Sequence, residues 1–229
     1  MKTIIGTTIQ EAIHLLKSGE LVAIPTETVY GLAANGCNTA AVKKIYEAKN
    51  RPNSNPLILH FASIEKIHPY VLDFPQELLN LANKFWPGPL TILLNKSELV
   101  PNEITANQEL VAVRVPNHPL LNAILRELDF PLAAPSANPS GYVSPVSSQH
   151  VFEGLSGIIP YILEGGNAKI GLESTIIGFE EGLKLIQKEN AKRKAVSRQL
   201  YEVAAKERDA CLTLKERIKQ DLAIWKEQM

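Results

Sequence analysis

Short apolar runs of strand length alternate with segments of helical period along most of this chain, and that alternation limits its fold more than any other feature. The runs are LVAIP (21–25), PLILHFA (56–62), TILL (91–94), VAVRV (111–115) and PLAA (131–134), followed by YILEG, STIIGF and LKLI. Between them lie helical segments. One is opened by a capping box of Thr8 and Glu11 and stops at Gly19. Others run from a Thr39 cap through Ala48, over QELLNLANKF (76–85), over HPLLNAILREL (118–128) behind Asn117 as cap, and near SSQHVFEGL (147–155). This order predicts an α/β sheet covered by helices. Strands this apolar are expected to be buried on both faces.

The pattern breaks near residue 187. All 15 prolines lie at or before Pro160 and the last glycine is Gly182, so 47 residues follow with no helix breaker. Charge divides in the same place. Residues 1–183 carry 12 Lys+Arg against 17 Asp+Glu (−5), and residues 184–229 carry 12 against 7 (+5), which cancel to the net zero of the whole chain. A body over 1–187 and a helical tail over 188–229 are therefore expected. In the tail, Thr213 and Glu216 make a capping box, and Leu214, Ile218, Leu222 and Trp225 share one helical face. An αα-hairpin docked on the body is the form this predicts.

Several classes drop out at once. A chain that is 45% hydrophobic and 21% charged is not a disordered one. No apolar run approaches the ~18 residues of a membrane span, and the polar start does not fit a secretory signal peptide. Cys37 and Cys211 form no metal or redox spacing, so a reducing, cytoplasmic setting is the default. The five histidines do not pair at metal spacing, so no metal-ligating residues are expected. There is no Walker loop, no GxGxxG and no GxSxG elbow.

What remains is a set of polar loops at strand ends. Strand 21–25 runs into Thr26-Glu27-Thr28-Val29-Tyr30-Gly31, at the sheet edge where α/β folds bind ligands or, equally, in a turn that satisfies its own hydroxyls. Lys49 ends a helix, where a cation also suits the macrodipole. With Arg51 two residues on, it makes a compact dication suited to a triphosphate, and both are expected to be exposed. Arg114 sits inside the apolar strand VAVRVP; such an arginine pairs with an internal acid or awaits a ligand anion. His60 closes strand 56–60 as a packing residue or a site residue. The loop from Pro135 to Gly141, with Ser136 and Asn138, is a rigid turn or a rim of polar contacts, and Ser174 opens STIIGF toward the same side.

Six motifs now stand in order: PTETVYGL, YEAKNRP followed by PL and His60, FWPGPLT, VAVRVP, APSANPSG and GLESTII. Together they resemble the YrdC-like family of L-threonylcarbamoyladenylate synthases over about residues 8–180. The resemblance implies a twisted, open, mostly parallel sheet with flanking helices around a large basic cavity. It implies that threonine, bicarbonate and ATP give threonylcarbamoyl-adenylate and pyrophosphate, for threonylcarbamoyl modification of a tRNA adenosine by a further enzyme or complex. Under it Lys49 and Arg51 are the catalytic phosphate contacts, with Asn55, Ser136, Asn138 and Ser144 as further ATP contacts. Arg114 takes the threonine carboxylate, and Thr28, His60 and Ser174 bind the rest of threonine. Thr26 is a wall of the site or a contact to metal-bound water, and Mg2+ is implied by the ATP chemistry. One position departs from the pattern: Gln187 stands where the family carries an arginine. Two other functions compete, a non-catalytic RNA-binding or ribosome-associated module and a carbamoyl-transferring relative with another acceptor. The acidic body speaks against the first.

Overall fold

The computed structural model describes residues 1–178. In chain order they form β1 (Ile4–Gly6), α1 (Ile9–Lys17), β2 (Val22–Ile24), β3 (Gly31–Asn35), α2 (Thr39–Lys49), β4 (Ile58–His60), a 3₁₀ turn (His68–Tyr70), α3 (Gln76–Phe85), β5 (Leu90–Asn95), α4 (Asn102–Thr105), β6 (Leu110–Arg114), α5 (Pro119–Glu127), β7 (Leu132–Ala133), α6 (Ser148–Leu155), β8 (Tyr161–Leu163) and β9 (Thr175–Ile177). The expected LKLI strand, the boundary at 187, the tail over 188–229 and Gln187 lie outside the described residues. No described helix is long and apolar enough to cross a membrane.

The nine strands make one open sheet in the order β1-β8-β2-β3-β7-β4-β6-β5-β9. Four neighbouring pairs are parallel and four antiparallel. The α/β class and the open sheet stand as expected, with antiparallel pairs mixed through them.

Alternate residues on the strands sort into two cores. On one face Ala23, Leu32, Leu59, Val113, Ile92 and Ile162 pack with α2, α3 and α6 through Val42, Ile45, Leu78, Ala82, Val151 and Leu155. On the other, Val22, Ile24, Ala33, Leu132 and Leu163 pack with α1 and α5 through Ala12, Leu16, Leu121 and Ile124. That second core stops at β7. Beyond it, on β4 and β6, the positions of the same parity are Ile58, His60, Ala112 and Arg114, which belong to neither core. Burial of the strands by helices on both faces therefore holds for one half of the sheet only. The other half keeps one face open, and the loops 26–31, 49–56 and 134–144 gather around it.

Helix ends explain how those loops are aimed. The cap of α2 is Asn38, one residue before the expected Thr39; its side-chain oxygen accepts from the backbone N–H of Ala40 (3.0 Å) and Ala41 (3.2 Å). The helix stops at Asn50, whose left-handed backbone (φ 50°) asparagine tolerates, and the turn brings Arg51 N–H back to the Tyr46 carbonyl at 2.9 Å. The capping box expected at Thr8 is absent, because the Thr8 side chain makes no cap bond and its backbone N–H donates to the Tyr161 hydroxyl instead. At α5 the cap position is His118, with Pro119 as first helical residue, so Asn117 stands one residue too early. Asn38→Ala is expected to lower the unfolding free energy by about 1 kcal/mol, and Thr8→Ala to leave it nearly unchanged, both measured by urea unfolding.

Candidate active site

The open sheet face floors a cavity of about 740 Å³, within the range of small-molecule sites. Ile58, His60 and Arg114 form part of the floor, and the walls come from Thr26, Thr28, Val29, Gly31, Lys49, Arg51, the 134–144 loop and residues 172–176. Of the residues singled out by sequence, Thr28, Lys49, Arg51, His60, Arg114, Ser136, Asn138, Ser144 and Ser174 all line this one cavity. Asn55 does not. It sits behind Arg51, where its backbone carbonyl accepts from Arg51 Nε (3.3 Å) and from the Tyr46 hydroxyl (3.0 Å).

The Lys49–Arg51 pair is buried, not exposed: the two residues are 1% and 7% accessible. Lys49 Nζ donates to the backbone carbonyls of Ser136 and Asn138, and Ser140 N–H returns a bond to the Lys49 carbonyl at 2.8 Å. The lysine therefore ties the end of α2 to the 135–145 loop as well as supplying charge. Arg51 Nη2 donates to the Pro56 carbonyl at 2.9 Å. Burial, then the neighbouring Arg51 charge, push the Lys49 ammonium down to about 7, with Glu173 opposing. Burial likewise lowers Arg51.

Arg114 occupies the other end of the floor. Its Nε donates to the Gly88 carbonyl (3.1 Å), its Nη1 to Thr28 Oγ1 (3.0 Å), and its Nη2 lies 2.8 Å from Glu27 Oε1. Of the two alternatives left open by the sequence, the internal acid is present as Glu27, and Arg114 also lines the cavity. His60 stands beside it in register across β4 and β6. Complete burial, followed by the Arg114 charge, holds the imidazole down to about 3, so it is neutral at physiological pH.

The hydroxyls are fixed as well. Thr26 Oγ1 accepts from the N–H groups of Thr28 (3.0 Å) and Val29 (3.2 Å), which makes it the brace of the 26–29 turn as well as a wall. Thr28 Oγ1 lies 2.8 Å from it and also accepts from Arg114. Ser174 shares a 2.7 Å bond with Thr91, a β5 residue that sequence reasoning passed over. Ser144 donates to Glu173 at 2.7 Å. Glu173, inside GLESTII, and Tyr142, just after APSANPSG, also line the cavity without having been assigned a role, since no residue pattern separated them from ordinary loop positions. Tyr30, read as part of a polar loop, is fully buried, and its hydroxyl donates to the Gly166 carbonyl at 2.8 Å.

Cations held at two places, with small hydroxyls between them, suit the binding and joining of anionic substrates. The Sua5/yciO/yrdC sequence profile, described as telomere recombination, matches residues 14–188. Threonylcarbamoyl-AMP synthase of Pyrococcus abyssi is 49% identical over 173 residues, covering 76% of this chain and 51% of its own length. The Bacillus subtilis protein of the same name is 47% identical over 179 residues, 78% of this chain and 52% of its own. The solved structure of P. abyssi Sua5 complexed with L-threonine superposes with a TM-score of 0.74 at 46% identity, covering 78% of this chain and 54% of that one. The chain thus spans about half the length of these relatives.

The low Lys49 value has a consequence for stability. Between about pH 7 and the ordinary lysine value of 10.5 the unfolded chain binds a proton that the folded chain does not, so this group makes stability rise with pH across that window. Its cost is present in full below the window and gone above it. Lys49→Met is expected to remove that slope, seen by comparing urea unfolding of variant and parent at several pH values.

Proposed function

The chain belongs to the Sua5/yciO/yrdC family, and from that membership we propose that it makes L-threonylcarbamoyladenylate from L-threonine, bicarbonate and ATP, releasing pyrophosphate. The observation that carries the proposal is one cavity with buried cations of two kinds, a lysine–arginine pair at one place and a strand arginine at another.

In this reaction the threonine ammonium gives up a proton, bicarbonate takes one up to become carbon dioxide and water, and the neutral amine forms a nitrogen–carbon bond with that carbon dioxide, a further proton leaving to solvent as the carbamate forms. A carbamate oxygen then attacks the α-phosphorus, and the bond to the β-phosphate breaks with pyrophosphate taking the electron pair. Lys49 and Arg51 are assigned to the phosphates, where they hold the ground state and stabilise the charge that gathers on the leaving group. Ser136, Asn138 and Ser144 contact the nucleotide from the facing loop, and Asn55 acts through Arg51. Arg114 takes the threonine carboxylate, with its fork suited to two-point contact. Thr28, neutral His60 and Ser174 surround the rest of the amino acid. No protein nucleophile is required.

Magnesium is proposed to arrive with the ATP phosphates. Among the described residues no cluster of three or more His, Cys, Asp or Glu could hold a metal, and Glu173 is the only carboxylate of those lining the cavity. A magnesium ion that keeps its phosphate oxygens and several waters needs little more from the protein. The labile adenylate is proposed to pass to an enzyme that transfers threonylcarbamoyl to a tRNA adenosine. A reducing, cytoplasmic setting fits Cys37, which is an exposed free thiol.

The purified chain is expected to release pyrophosphate from ATP only when L-threonine and bicarbonate are both supplied. Release with neither, or equal release with serine, overturns the assignment. Lys49→Ala and Arg51→Ala are each expected to slow turnover at least about tenfold, roughly 1.4 kcal/mol in the transition state. Arg114→Ala is expected to raise the KM for threonine far more than that for ATP, and the opposite split reassigns Arg114 to the nucleotide.

A further inference from the structure

Three ion pairs occur among the described residues. Lys43–Glu103 and Lys44–Glu20 lie on the surface, with their lysine side chains 63% and 40% accessible. The Arg114–Glu27 side chains are 3% and 7% accessible. A buried pair is weak evidence for stability, because desolvation cancels much of its attraction. This one also lacks hydrogen-bond alignment: the Glu27 oxygens and Arg114 Nη2 have no hydrogen-bond partner, although the charges stand 2.8 Å apart. What the carboxylate supplies is charge and orientation.

Its placement is built in. Glu27 does not line the cavity, whereas Arg114 does. The backbone carbonyls of Glu27 and Thr28 accept from Ile170 (2.9 Å) and Gly171 (3.0 Å), so the loop after β8 clamps this turn from behind. With Gly88 and Thr28 taking its Nε and Nη1, the guanidinium is held on three sides. Lys49 is treated differently: its ammonium donates to two neutral carbonyls.

We infer that Glu27 is a positioning and selectivity residue: it fixes the Arg114 fork and cancels its charge, so that this end of the cavity takes a zwitterionic amino acid and refuses a polyphosphate. The inference rests on the proposed reaction. An arginine with its charge uncancelled would attract pyrophosphate or the ATP triphosphate as strongly as it attracts threonine. Beside a carboxylate, the site as a whole is neutral, and only a ligand that fits the fork and carries its own positive charge is favoured. Glu27 thereby sorts two substrates that share one open cavity.

The test is direct binding by calorimetry, with L-threonine, a non-hydrolysable ATP analogue and inorganic pyrophosphate as probes. Glu27→Gln keeps the shape and removes the charge. It is expected to weaken L-threonine at least about tenfold, to leave the ATP analogue within about twofold, and to let pyrophosphate compete with threonine. Glu27→Asp keeps the charge, so pyrophosphate should not compete with threonine in it even where its shorter reach weakens threonine. Should Glu27→Gln fold poorly, Glu27→Gln combined with Arg114→Met removes both charges; it is expected to regain stability but not threonine binding. Glu27→Gln binding threonine as the parent does overturns the role, and so does equal weakening of threonine and the ATP analogue, which marks a structural role alone. A parent chain that binds no L-threonine overturns the proposed reaction itself.

Discussion

A cation removed from water must be given partners, and three of them, Lys49, Arg51 and Arg114, are buried around one sheet face. Much of the arrangement of the surrounding loops follows from meeting that demand. Lys49 is met by the carbonyls of Ser136 and Asn138, which draws the 135–145 loop onto the end of α2. Arg51 is met by the carbonyls of Asn55 and Pro56, which folds the 51–56 loop back on itself. Arg114 is met by Gly88, Thr28 and Glu27, joining three segments that are far apart in sequence. The cavity is what remains between loops that are each held by a charge.

The same loops can close there because the sheet is covered unevenly. Helices α1 and α5 shield one face only as far as β7, and past it the chain supplies Ile58, His60, Ala112 and Arg114 in place of a second helical layer. A polar and charged strand face buried under helices would be costly. Left facing a cavity, it is a binding surface. The neutral His60 shows the balance: complete burial, and after it the Arg114 charge, disfavour its protonation, so a residue that ordinarily titrates near neutrality is fixed in one state.

Much of this was legible in the residues. Apolar runs located β2, β4, β5, β6, β7, β8 and β9, and the resemblance carried by the ordered motifs assigned nine residues that do meet in one cavity. The misses have physical causes. GLAAN (31–35) is buried as β3 but, apart from Leu32, holds only Gly, Ala and Asn and has no β-branched residue, so its strand character comes from pairing with β2 and β7 and not from propensity. Asn38 won the cap of α2 over Thr39 because its side chain reaches two N–H groups. Glu27 gave no sign of its role, since a carboxylate in a polar loop acquires meaning only when an arginine 87 positions later is folded against it. The burial of Lys49 was hidden for the same reason: its partners are carbonyls, which every residue has.

Two ends of one cavity are proposed to take different substrates. A crystal structure of the chain with L-threonine and a non-hydrolysable ATP analogue bound together tests it most directly. The expected result is the threonine carboxylate on Arg114 and the phosphates on Lys49 and Arg51, with the amine side of threonine turned toward the α-phosphate. Phosphates on Arg114, or the two ligands in separate pockets, would contradict it.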